Sequence, residues 1–105
     1  MKKKTADQRV KALGWKDGTV ADFLKLTPEE SALIEIKLAL SRKLRECRQK
    51  RMTQAQLAAK LRSSQSRIAK AETGDSSVSI ELLVRAILAT GATAKEVGNA
   101  ISHRS

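Results

Sequence analysis

The stretch Thr53–Gly74, TQAQLAAKLRSSQSRIAKAETG, carries two helix starts and one helix stop within 22 residues. Thr53-Gln54-Ala55-Gln56 is a capping box, in which the Thr hydroxyl accepts from the backbone three residues on and the Gln side chain reaches back. It opens a short helix ending near Leu61, with Leu57, Ala58 and Leu61 facing inward. Ser64 caps a second helix that runs to Glu72, where Thr73-Gly74 supplies the stop. Two helices separated by so few residues must pack on each other, and Ala58 is small because a larger side chain at the crossing would push the second helix out of place. With Ile68 as the inward direction and about 100° per residue, Ser66 and Lys70 each point about 160° away. Arg67 lies on one flank and Gln65 at the leading end. The outward face is therefore short, polar and basic.

Upstream, Thr27-Pro28-Glu29-Glu30 combines a Thr cap, Pro at the first helical position and a Glu that closes a capping box. From there Leu33, Ile36, Leu40, Leu44 and Cys47 step by three and four, Ile34 and Leu38 widen the stripe, and Arg42, Lys43, Arg45, Arg48 and Lys50 take other positions. The pattern predicts a helix over about 28–50, near 34 Å long. Before it, Thr19 to Leu26 is expected to form a short helix capped by Thr19, with Val20, Phe23 and Leu24 on one side, ending ahead of Pro28; residues 1–18 have no clear period. We divide the chain into an N-terminal extension, 1–27, and a helix-turn-helix domain, 28–105, whose motif spans 53–74.

Downstream, Val78, Ile80, Leu82 and Val84 alternate like a strand, but Ile80, Leu83, Val84, Ile87 and Leu88 match a helical template and Gly91 is placed to end it. Thr93-x-x-Glu96 is another capping box, followed by Val97 and Ile101 on one face. The expected architecture is all-α, with five or more short helices and short connections.

Composition agrees with one aliphatic core: 105 residues, 41% hydrophobic, with Trp15 and Phe23 as the aromatics. The net charge of +10 is uneven: residues 1–31 hold 7 basic and 5 acidic groups, residues 32–74 hold 11 and 3, and residues 75–105 hold 3 and 3. A positive field concentrated in mid-chain attracts polyanions, nucleic acid or anionic lipid. The lipid reading is the weaker, because the basic residues belong to capped helices and bulky aromatic insertion residues are lacking there. No uncharged run exceeds nine residues, Ala86–Ala94, so the chain is expected to be soluble and cytoplasmic, with no membrane partner. Cys47, the single cysteine, excludes an intramolecular disulfide and a four-cysteine zinc site, and its place on the apolar stripe makes it a core thiol. His103 stands without metal-ligating company. No phosphate-cradling, HExxH or Ser/His/Asp pattern is present, so neither enzymatic activity, cofactor nor metal is expected.

Residues 53–74 resemble the helix-turn-helix of the Xre and phage-repressor family. The pattern is a Thr/Ser-Gln opening, Leu-Ala, a tight turn, Ser/Thr-Gln, an inward Ile and Glu-x-Gly, met here by Thr53, Gln54, Leu57, Ala58, Ser64, Gln65, Ile68, Glu72 and Gly74. The resemblance implies a lambda-repressor-like domain with Leu57, Ala58, Leu61 and Ile68 as the core of the motif. It also implies an ion pair between Arg48 and Glu72. The outward face suits the major groove, where Gln pairs with adenine, Lys with guanine and Ser with several edges, so Gln65, Ser66 and Lys70 are the expected base-reading residues. Gln54, Arg67, Thr73 and Arg45 are the expected phosphate contacts. Three positions depart from the family: Arg62 stands in the turn where Gly is usual, Ala71 where a larger apolar residue is common, and the link from Arg48 to Thr53 is a residue short and lacks its Gly. A non-glycine residue in left-handed geometry costs on the order of 1 kcal/mol.

One short helix reads only a few bases, so the expected protein is a homodimeric repressor on double-stranded DNA with a pseudo-palindromic operator, half-sites about 10 base pairs apart. Val97 and Ile101, or Leu33 to Leu40, are the candidate dimer contacts. The chain also resembles HigA-type antitoxins, which repress their own operon and neutralise a RelE/HigB-like ribonuclease toxin. On that reading residues 1–40, with Trp15, Phe23, Leu33 and Ile36, would contact the toxin. The modest positive charge of the N-terminal segment argues mildly against a basic ribonuclease partner. The alternative is a stand-alone phage-type or chromosomal Xre-family regulator.

Overall fold

Five helices run through the described residues, 25–103, of a computed structural model: α1 Pro28–Gln49, α2 Gln54–Lys60, α3 Gln65–Glu72, α4 Ile80–Ala89 and α5 Ala94–Ser102. The chain forms two compact units, residues 1–34 and 35–105, with the division inside α1. Trp15, Phe23 and all but the last two residues of the helix expected at 19–26 lie outside the described residues. Those last two are not helical. Lys25 sits in a turn at φ 59, ending any helix before Pro28.

In the first unit the start of α1 is held as its sequence dictates. Thr27 N–H donates to Glu30 Oε1 at 2.8 Å, and Glu30 N–H donates to Thr27 Oγ1 at 3.1 Å. The apolar stripe that follows is exposed at this end, Leu33 by 50% and Ile34 by 43%.

In the second unit the stripe goes inward. Leu40, Leu44 and Cys47 of α1 meet Leu57 and Ala58 of α2, Ile68 and Ala71 of α3, Leu82, Leu83, Ala86 and Ile87 of α4 and Val97 of α5 in one core. Ile36, Leu61 and Ile101 are partly buried against it, whereas Leu38 is 40% exposed. Full burial of aliphatic side chains such as Leu40, Leu57, Ile68 and Leu83 contributes about 1.5–3 kcal/mol each. Val97 is committed to this core and is not free for a partner. The strand-like alternation around residue 80 resolves as helix: Val78 is buried from the loop, and Ser79 caps α4 by accepting from Leu82 N–H at 3.1 Å. Both expected capping boxes of this unit are present, at Thr53/Gln56 and Thr93/Glu96.

Candidate nucleic-acid interface

The turn between α2 and α3 is built on a residue chemically unsuited to it. Leu61 caps α2, Arg62 follows at φ 57, Arg62 N–H donates to Ala59 O at 3.1 Å and Ser63 N–H to Ala58 O at 2.8 Å. This pair of bonds is a Schellman motif with arginine where glycine is favoured. The left-handed geometry is thus kept despite the missing glycine. Ser64 then accepts from Arg67 N–H at 3.1 Å and starts α3. Ala58 is buried where α2 and α3 pack, and Ala71, small where bulk is usual, is fully buried. At the far end Gly74, at φ 79, takes the same left-handed place after α3, with Asp75 N–H donating to Lys70 O at 3.2 Å.

Helix α3 is held from behind by a buried polar cluster as well as by Ile68. Glu72, with its side chain 3% exposed, accepts Arg48 Nε on Oε2 and Arg48 Nη2 on Oε1 at 3.0 Å. Arg48 Nη1 also donates to Met52 O at 3.2 Å, tying in the short link to α2 without a glycine. Bonding to Glu72 raises the Arg48 pKa from its ordinary value, outweighing the opposite effect of burial, so the guanidinium stays charged. Gln54 Nε2 donates to Glu72 Oε1 at 3.1 Å, and Gln65 Nε2 donates to Gln54 Oε1 at 3.5 Å. The half-buried Gln54 side chain therefore faces Glu72 and Gln65, and among the described residues one Nε2 hydrogen and the backbone N–H form no further bond.

The outward face is coherent. Gln65, Ser66, Arg67 and Lys70 are all exposed, while Ile68, Ala71 and Glu72 of the same helix are buried. Ser64, Ser66, Arg67 and Lys70 line a shallow open cleft with Ser77 and Val78 of the α3–α4 loop. Thr73 is exposed and its hydroxyl donates to Lys70 O at 3.0 Å. Arg45 is exposed on α1, about 60° around the axis from Arg48 and away from the buried stripe.

Ser77 was not singled out by the sequence, although Asp75-x-Ser77 is a turn signature. Asp75 Oδ1 accepts from Ser77 N–H at 2.8 Å and from Ser77 Oγ at 2.6 Å. Those bonds hold the Asp75 carboxyl below its ordinary pKa of 3.8. Lys37 Nζ donates to Ser76 O at 3.0 Å, fixing the same loop from α1.

The 11 basic residues of 32–74 fall into two groups. Besides Lys37 and Arg48, Arg51 and Lys60 donate to Thr90 O at 3.0 Å and Ala89 O at 2.7 Å at the negative end of α4, and Lys43 and Lys50 lie 3.8 Å from Glu46. Arg62, Arg67 and Lys70, with Arg42 and Arg45 on α1, form no such bond among the described residues. Cys47 is buried, and among the described residues no helix is long and apolar enough to cross a membrane.

Comparison with known proteins agrees with this geometry. No curated protein and no solved structure matches the chain. A family model described as helix-turn-helix matches residues 42–97, which include the last turns of α1, both helices of the motif, all of α4 and the start of α5. The chain belongs to the Xre-like helix-turn-helix family and is a DNA-binding transcriptional regulator.

Proposed function

We propose that the protein is a sequence-specific repressor that acts in the cytoplasm as a homodimer on a pseudo-palindromic operator. Gln65, Ser66 and Lys70 read base edges, and Arg67, Thr73, Arg45 and Gln54 contact phosphates. The observation that supports this most is the outward grouping of Gln65, Ser66 and Lys70 on a helix whose reverse side is anchored by Ile68 and the Arg48–Glu72 pair. The dimer gives two such helices, matching half-sites about 10 base pairs apart.

Selection from a random duplex library, followed by binding titrations, tests the division of roles. Gln65→Ala or Lys70→Ala is expected to cost about 1–3 kcal/mol on the selected site and almost nothing on random DNA. Arg67→Ala or Arg45→Ala is expected to weaken every sequence alike. Equal losses on both kinds of DNA from both sets would sink the assignment.

A second role is supported by the exposed Leu33 and Ile34, which offer apolar surface for a protein, and by the resemblance to HigA-type antitoxins. On this reading the repressor controls its own operon and neutralises a RelE/HigB-like ribonuclease toxin. Co-expression with the product of the adjacent open reading frame tests it. A stable complex that suppresses ribonuclease activity supports the antitoxin role; its absence leaves a stand-alone regulator.

A further inference from the structure

We infer that two copies of the chain meet across a two-fold axis through the outward stripe Glu81, Arg85 and Leu88 of α4; this rests on the homodimer proposed above and names its contact surface.

The inner face of α4 is fully used, since Leu82, Leu83, Ala86 and Ile87 are buried in the core. With Leu83 as the inward direction and about 100° per residue, Leu88, Glu81 and Arg85 stand at about 140°, 160° and 200° from it. They form one stripe along the opposite side. Glu81 and Arg85 are exposed, Leu88 is 43% exposed, and Val84 is half-buried on the flank. Glutamate four residues ahead of arginine is the favourable order for an ion pair within a helix. Neither side chain, however, forms an ion pair or hydrogen bond among the described residues. Both charges are free to meet another molecule.

A stripe with opposite charges one turn apart is complementary to a second copy of itself. A two-fold contact is isologous, so that each residue finds its counterpart twice. An antiparallel pair of α4 helices, with the axis crossing between the two charges, sets Glu81 beside the partner's Arg85 and Arg85 beside the partner's Glu81. It also turns each Leu88 onto the first turn of the opposite helix, which covers the exposed apolar surface. One such helix pair is smaller than the roughly 1,200 Å² of a stable interface. The contact is therefore weak in the free chain and is completed on DNA, where neighbouring half-sites hold two copies at high effective concentration.

The test compares binding of the full chain to a palindromic duplex selected from a random library and to the same duplex with one half-site scrambled. The ratio of the two affinities measures cooperativity and cancels any change in contact with the DNA itself. Glu81→Arg and Arg85→Glu are each expected to lower that ratio about tenfold or more, because each creates two like-charge contacts across the axis. The double exchange Glu81→Arg with Arg85→Glu is expected to restore it to within about twofold, since the charges match again. A folding defect could not produce that rescue. Leu88→Asp is expected to lose cooperativity while half-site binding and the circular-dichroism melt stay at parent values. Sedimentation of the free parent is expected to show concentration-dependent association that Leu88→Asp lacks. Cooperativity kept in every single variant, or no rescue by the double exchange, would overturn the α4 contact while leaving a homodimer held elsewhere. A parent that binds each half of the palindrome independently and stays monomeric in sedimentation would overturn the homodimer itself, and the contact with it.

Discussion

Arg62 and Gly74 occupy the same place in two successive helix ends, both with positive φ. The left-handed conformation costs a residue with a Cβ about 1–2 kcal/mol. Glycine avoids that cost but gives back roughly 0.4–1 kcal/mol through its freer unfolded chain. Arg62→Gly is therefore expected to stabilise the domain by about 0.5–1 kcal/mol, read from chemical denaturation. Gly74→Ala works the other way: a Cβ there would lie 2.7 Å from Leu38 Cδ2. That Leu38 side chain is 40% exposed and can swing aside, so the loss should stay near the backbone cost of about 1 kcal/mol. A loss of several kcal/mol would show that Leu38 cannot move. Ser41, 2% exposed, has a hydroxyl that finds no partner among the described residues. An unsatisfied buried hydroxyl is a cost, so Ser41→Ala is expected to raise stability by up to about 1 kcal/mol.

At the scale of elements, the helix starts were legible because each depends on residues within four positions: Thr27, Thr53, Ser64 and Thr93 all cap as their neighbours dictate. The packing of one element on another was less so. The α1 stripe reads as continuous from Leu33 to Cys47, yet periodicity states only which side is apolar, and Leu33, Ile34 and Leu38 are exposed. The pairing of Arg48 with Glu72, 24 residues apart, came from family resemblance and not from any local rule. It joins α1 to α3, and Arg48→Met is expected to cost about 3–5 kcal/mol because Glu72 is left buried with only Gln54. Arg48→Met with Glu72→Met should be distinctly less damaging than that, measured as a double-mutant cycle, because no orphan charge remains. The Asp75–Ser77 turn beside α3 makes a pH-dependent prediction. A carboxyl whose folded pKa is depressed lends stability above its unfolded value and loses it as pH falls through the folded one. The Asp75 lock should thus hold at neutral pH and open only below 3.8. NMR titration should place the midpoint under that value, with Ser77→Ala moving it up.

Taken over the whole molecule, the charge count identified a polyanion partner but not the residues that meet it. Of the 11 basic residues in 32–74, Lys37, Lys43, Arg48, Lys50, Arg51 and Lys60 engage carbonyls or carboxylates of their own domain. Composition treats these as equal to Arg42, Arg45, Arg62, Arg67 and Lys70, whereas a polyanion does not. The salt dependence of binding separates a diffuse field from contacts, since each phosphate neutralised adds about 0.9 to the slope of log K against log salt. Arg67→Ala is accordingly expected to shallow that slope by about 0.9 per protomer. Lys60→Ala removes the same unit of charge but from a side chain bonded to the α4 terminus, so it should leave the slope almost unchanged and cost roughly 0.3–1 kcal/mol of fold stability. Titrations of both variants over a range of salt concentrations on one duplex decide the matter. Equal slopes for the two would mean that DNA responds to the total charge of the protein and that the outward face of α3 has no privileged part in binding.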